Sequence, residues 1–192
     1  MNIPKKIALW GISGSGKSYL AQKLAKEFTE GTNTRLIVID PFAESDFCET
    51  GLDAANAIYS GKRAVCLKTS DWFEALPLFY AATFASTEAE PILIILDEAA
   101  DYLAEKDMLG QAIFNKGRHN GLSIFIASQR PSGVHPVYRT QCGQTYFLKL
   151  VDQRDTDVAR SQIGPKAALL SQFETGQFVK HPPDPEPKEA QT

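Results

Sequence analysis

The sequence predicts an α/β domain: a mostly parallel β-sheet with helices on both faces, three layers in all. Three observations carry this reading. Short aliphatic runs recur along the chain with helical stretches between them. Those runs are continuous in Val, Ile and Leu rather than alternating, as expected of strands covered on both sides. And 192 residues, 43% hydrophobic and 22% charged, suit one globular domain with a single large core.

The elements follow in order. "KIALW" (6–10) reads as a first strand, followed by a Gly-rich stretch and the amphipathic helix "KSYLAQKLAKEF". "RLIVID" (35–40) and "RAVCLK" (63–68) are the second and third strands. The segment Phe42–Gly61 between them reads as a lateral or pore-facing insertion. Asp71 is a candidate N-cap for a helix running to about Ser86, in which Pro77 predicts a bend or restart. "PILIILDEA" (91–99) is an aliphatic strand ending in acids, and a helix near Met108–Lys116 leads to the strand in "GLSIFIAS". "QTYFLKLV" (144–151), a helix around Asp155–Gln162 and "GQFVKH" (176–181) complete the set. Residues 1–180 form one domain on this reading. The ending "HPPDPEPKEAQT" (181–192) is Pro-rich and charged, which predicts a disordered tail.

Composition excludes several classes. A net charge of −3 gives no broad basic face, so any DNA contact must be a local patch. Cys48, Cys66 and Cys142 are far apart and odd in number, which argues against a disulfide framework or zinc site and for buried free thiols. The longest uncharged apolar stretch, Ala75–Ser86, falls short of the ~18–20 residues that span a bilayer. With no secretory signal at the start, the expected location is the cytoplasm or a virion.

The strongest motif is "GISGSGKS": Gly11, Ile12, Ser13, Gly14, Ser15, Gly16, Lys17 and Ser18 fit G-x-x-x-x-G-K-[ST] between a strand and a helix. Small residues let the backbone curl until successive N–H groups face a phosphate, and the helix N-terminus adds partial positive charge. Lys17 would reach the β- and γ-phosphates of ATP, and Ser18 would ligate Mg²⁺.

Asp97 and Glu98 close a buried strand, at the carboxyl end where ligands of open α/β sheets bind. Asp97 suits the Mg²⁺ shell, and Glu98 suits polarising a water for attack on the γ-phosphate. The plainer alternative is that both acids cap the next helix. In "KGRHNGLSIFIASQRPSG" (116–133), Gln129 ends the strand expected beside that of Asp97. Its uncharged amide can donate to a phosphate oxygen and accept from water, and Ser128 is a further candidate. Arg118 lies at the other end, about 20 Å away along the strand. It is either a surface arginine at a turn or an arginine finger serving a neighbouring subunit's nucleotide in a closed ring.

Taken together, these stretches resemble the FtsK–HerA superfamily of hexameric translocating ATPases. "KGRHNGLSIFIASQRPSG" is similar to that superfamily's arginine, glycine, strand and Q-R-P series. "VIDPFAE" (38–44) resembles its D-P-x-x-E segment, "LDEA" its Walker B motif, and "RTQCGQTYFLKLVDQRDTDVARSQIG" (139–164) the late strand and helix of the HerA branch. The resemblance implies a P-loop NTPase fold of the RecA-like (ASCE) kind. It implies ATP and Mg²⁺ bound through Lys17, Ser18 and Asp97, Glu98 activating water, Gln129 sensing the γ-phosphate and Arg118 acting in trans. It also implies a homo-oligomeric ring, a hexamer in such motors, working on double-stranded DNA. The short chain resembles the genome-packaging ATPases of membrane-containing icosahedral viruses, with capsid or membrane-embedded portal proteins as further partners.

Lys62, Arg63, Lys106, Arg130, His135 and Arg139 are candidate DNA contacts. Three alternatives stand beside the translocase: a Zot-like filamentous phage assembly ATPase, a nucleotide-dependent assembly switch, and a small-molecule P-loop kinase. Glu98 and Gln129 argue against the kinase.

Overall fold

A computed structural model describes residues 5–44, 46–106, 110–111, 114–115 and 120–182 of the chain. Within them lies a sheet of seven strands: β1 (Lys6–Trp10), β2 (Arg35–Ile39), β3 (Ala64–Leu67), β4 (Ile92–Leu96), β5 (Leu122–Ser128), β6 (Gln144–Phe147) and β7 (Val179–His181). Their spatial order is β3-β2-β4-β5-β1-β6-β7. Every pairing is parallel except the edge pair β6–β7.

The continuous apolar runs are explained by burial on both faces. All five residues of β4 and all seven of β5 are buried. On one face Leu9, Leu93, Ile95, Phe125 and Leu148 meet Leu20, Ala21, Ala25 and Phe28 of α1 (Lys17–Thr29). The other face carries the larger cluster, including Trp10, Ile37, Ile94, Leu96 and Ile126. It is covered by α2 (Gly51–Tyr59), α3 (Trp72–Ala85) and Ala159 of α5 (Gln153–Ile163). Fully burying each such aliphatic side chain contributes roughly 1.5–3 kcal/mol. A short α4 (Pro136–Arg139) sits between β5 and β6.

Three expectations change. The segment Phe42–Gly61 is no free insertion: it contains α2, the crossover helix between β2 and β3, with Ala54, Ala55 and Ile58 buried. Thr50 caps it, its side chain accepting from the Asp53 N–H. Gly51 is required there, because a Cβ would lie 1.8 Å from the Glu74 carbonyl oxygen of α3. Second, α3 runs through Pro77 without interruption. The lost ladder bond is outweighed by buried Ala75, Leu78, Phe79, Ala81 and Ala82. Third, the three cysteines are free but only half-buried.

Arg35 ties this half of the molecule together. It is buried, and its guanidinium donates to the Ile58 carbonyl (2.9 Å) and the Ala85 carbonyl (2.8 Å), in the last turns of α2 and α3. One cation thus bonds carbonyls at two helix C-termini, adding to the Gly61 N–H that the Ile58 carbonyl already accepts. The expected helix near Met108–Lys116 falls largely outside the described residues, as does the tail beyond Pro182.

Candidate nucleotide site

β1 delivers the chain to the carboxyl edge of the sheet between the ends of β5 and β6. The Gly11 N–H donates to the Ser128 carbonyl (3.2 Å) and the Ile12 N–H to the Lys149 carbonyl (2.9 Å). The loop then turns back into α1 through Gly14 and Gly16, both left-handed with φ of 74° and 96°. Gly16 is the N-cap of α1 and offers no side-chain cap, and the first turn holds no acid. The helix N-terminus is therefore left open to an anion. The buried Ser15 hydroxyl finds no partner among the described residues. An uncapped helix end and an orphaned hydroxyl in one loop fit a phosphate chain.

Lys17 is buried, its ammonium 3.5 Å from the Ile12 carbonyl. Burial lowers its pKa, against the opposing pull of the Glu98 and Asp97 carboxylates. The Ser18 hydroxyl donates to Asp97 Oδ2 at 3.3 Å, so the two expected Mg²⁺ ligands lie side by side. Burial raises the Asp97 pKa, helped by the Asp40 and Glu98 carboxylates and opposed by the Glu98 N–H and Lys17. A hydroxyl and a carboxylate held together in an acidic pocket fit a hard divalent cation.

Glu98 has φ of 47°, left-handed for a residue with a side chain. Its side chain accepts from Gln129 Nε2 at 2.6 Å, and its Oε2 lies 3.4 Å from the Gln129 N–H. The structure thus brings Lys17, Ser18, Asp97, Glu98 and Gln129 together. It places the Gln129 amide on Glu98, a pairing the sequence did not suggest. Ser128 turns inward and bonds the Arg130 backbone. Arg118 lies outside the described residues.

The DNA-contact candidates scatter. Lys62 and Arg63 lie at the start of β3, the sheet edge opposite the phosphate loop, where Arg63 donates to the Thr32 carbonyl. His135 caps α4 and Arg139 is half-buried near Asp155, so both serve internal contacts. Lys106 and Arg130 are exposed.

Sequence reasoning also missed a strap. Beyond α5 the chain returns to the phosphate loop, where Thr175 Oγ1 donates to the Gly14 carbonyl (3.0 Å) and the Gly176 N–H to the Ser15 carbonyl (2.9 Å). Nothing in "FETG" signals this, since both acceptors are backbone.

The model of the helicase HerA central domain matches residues 2–113. The chain belongs to the helicase HerA central-domain family. It is an ATPase of the HerA–FtsK type. No curated protein matches this HerA-family chain. Among solved structures, the genome packaging NTPase B204 of Sulfolobus turreted icosahedral virus 2, in complex with AMPPCP, is similar with a TM-score of 0.78. It is 18% identical, over 93% of this chain and 92% of that one. B204, the DNA-packaging ATPase of Sulfolobus turreted icosahedral virus, gives 0.75 at 15% identity, covering 93% of each chain. VirB4 of Thermoanaerobacter pseudethanolicus gives 0.63 at 11% identity, over 91% of this chain and 86% of that one. At these identities the likeness is one of fold. Among the described residues no helix is long and apolar enough to cross a membrane.

Proposed function

We propose that this chain is an ATP-driven DNA translocase of the viral genome-packaging kind, acting as a hexameric ring that moves double-stranded DNA into a capsid. The observation that carries it is the Glu98–Gln129 pair beside Ser18, Asp97 and Lys17. A carboxylate next to the cation ligands suits water attack rather than transfer to a small acceptor. The family membership and the packaging ATPases of similar fold support the motor reading.

Lys17 and the backbone N–H groups of residues 14–18 would hold the phosphates, and Ser18 and Asp97 would hold Mg²⁺, which when bound would neutralise charge on the phosphate oxygens. Glu98 takes a proton from the water whose oxygen attacks the γ-phosphorus as the bond to the departing ADP breaks. Before that, its carboxylate must leave the Gln129 amide, which is then free to donate to a phosphate oxygen. Hydrolysis is thereby coupled to the position of the β5 end. Arg118, four residues before β5 in the sequence, supplies its guanidinium to the neighbouring subunit's nucleotide. The ring works in the host cytoplasm or on the virion, docked to capsid or portal proteins.

The test is ATP hydrolysis with and without double-stranded DNA. Stimulation by DNA is expected; no stimulation and no DNA binding in any nucleotide state overturns the translocase reading in favour of an assembly switch. For the finger, inactive Arg118→Ala and Glu98→Gln subunits are mixed. Partial recovery of activity is expected, and none in mixed rings refutes action in trans.

A further inference from the structure

Helix α3 is apolar on both sides. Ala75, Leu78, Phe79, Ala81 and Ala82 are buried. Its exposed residues are Phe73, Pro77, Tyr80 and Phe84, and none of them is charged. The one charged residue of the helix, Glu74, is half-buried and accepts from the Gly51 N–H at 2.6 Å. A helix buried on one side only ordinarily carries polar residues on the other. Alongside, α2 adds exposed Leu52 and Tyr59. The two helices are tied at one end by the Glu74–Gly51 bond and at the other by Arg35.

The spacing of the exposed set says what covers it. Positions 73, 77, 80 and 84 step by 4, 3 and 4 residues, the a/d seam of paired helices. The seam is symmetric about a point between Leu78 and Phe79. Turned end over end, Phe73 falls on Phe84 and Pro77 on Tyr80, so the seam suits its own copy across a two-fold axis. Tyr80 and Phe84 already stack, ring centroids 6.5 Å apart and planes 12° off parallel. At the ~150–250 Å² that a buried ring covers, the exposed fractions of Phe73, Tyr80, Phe84 and Tyr59 (76, 41, 73 and 62%) leave roughly 400–600 Å² in water. The largest apolar patch of an ordinary monomer is ~300–600 Å², and here Leu52 and Pro77 come on top. Counted on two copies the area reaches about 1,000 Å² or more, the size a specific protein contact needs.

We propose that two copies of this chain pair through α3, antiparallel about a two-fold axis, with Phe73 of one copy on Phe84 of the other. Neither α2 nor α3 contains a Lys or Arg, so the phosphates of nucleic acid or of anionic lipid find no cation on these helices. The rim is exposed and carries both signs, Asp53 and Asp71 at one end, Lys62 and Glu88 at the other. An aromatic centre inside a polar rim is the anatomy of a protein interface. α3 covers the face of the sheet opposite α1, so the pairing leaves the phosphate loop open. A two-fold contact closes on itself and cannot propagate head to tail around a ring. It therefore joins two free chains, or chains of two different rings, and does not depend on the motor reading above.

Analytical ultracentrifugation of the full chain without nucleotide tests the contact. Phe84→Glu places a charge on the seam and should weaken pairing by roughly thirtyfold or more, the range of interface hot spots. At a concentration where the parent is assembled, this variant should show half the parent's mass, whether the parent is a dimer or a doubled ring. A mass that the substitution leaves unchanged overturns the proposal and leaves the seam to a different protein. So does a parent that stays monomeric. Cysteine cross-linking with a thiol oxidant tests the register without disturbing charge. Phe73→Cys chains mixed with Phe84→Cys chains should give disulfide-linked dimers above the background of the parent's own cysteines. Either variant alone should not, since like positions then lie about 16 Å apart at ~1.5 Å per residue. Cross-links within one variant alone, or none in the mixture, refute the antiparallel pairing.

Discussion

The two flanks of β1 are built on different principles. On the β4–β5 flank the proposed functional groups are side chains, Asp97, Glu98 and Gln129, fixed by strands buried on both faces. On the β6–β7 flank the phosphate loop is held through its carbonyls by a segment with exposed side chains and little regular structure. The first flank suits chemistry, where reacting groups must be held closely. The second suits affinity, where a ligand must enter and leave. The difference teaches that turnover and binding should respond to separate substitutions in one small domain.

The largest expected effect tests the chemical flank. Glu98→Gln should lower steady-state ATP hydrolysis by about 10²–10⁴-fold, the usual contribution of a general base, with ADP affinity nearly unchanged. A parallel loss of affinity would break the division. Gln129→Ala should follow, slowing turnover by about 10²-fold as for a lost transition-state donor. Full activity in this variant would show that the Glu98–Gln129 bond is incidental.

Arg35→Met comes next and tests the scaffold rather than either flank. Losing the bonds to the Ile58 and Ala85 carbonyls, of which Ile58 keeps the Gly61 N–H, should cost about 1–3 kcal/mol in urea unfolding. The smallest effect sharpens the binding flank. Thr175→Val removes one side-chain bond to the Gly14 carbonyl and should lower stability by about 1 kcal/mol or less. In the same variant hydrolysis at saturating ATP should be unchanged.

The chemical flank was legible in the sequence because its chemistry needs particular residue types at particular spacings. Glycines that must be left-handed, a lysine and a serine at a helix start, and two acids ending an aliphatic run each leave a mark. The strap left none, since backbone carbonyls accept from whatever Thr175 and Gly176 offer. Its glycine reads as any turn. Helix α2 was missed because Ala54, Ala55 and Ile58 make a weak apolar stripe, although Thr50 with Asp53 was a visible cap. The strand content was read well because double burial leaves no room for polar residues. The Glu98–Gln129 pairing depends on β4 and β5 being neighbours, which the sequence suggested, and on a rotamer choice, which it did not.

The position of β1 in the sheet has a consequence for how the chain is made. β1 is synthesised first of the strands, yet both its neighbours, β5 and β6, come from the other end of the chain; Lys6 pairs with Ile124 and Ile7 with Gln144. Until those residues have left the ribosome, β2, β3 and β4 can join one another while β1 waits with both edges unpaired. Its apolar residues and the nascent phosphate loop stay exposed throughout, the kind of surface that invites misassembly. The phosphate loop can thus take its place in the sheet only after β6 has been made.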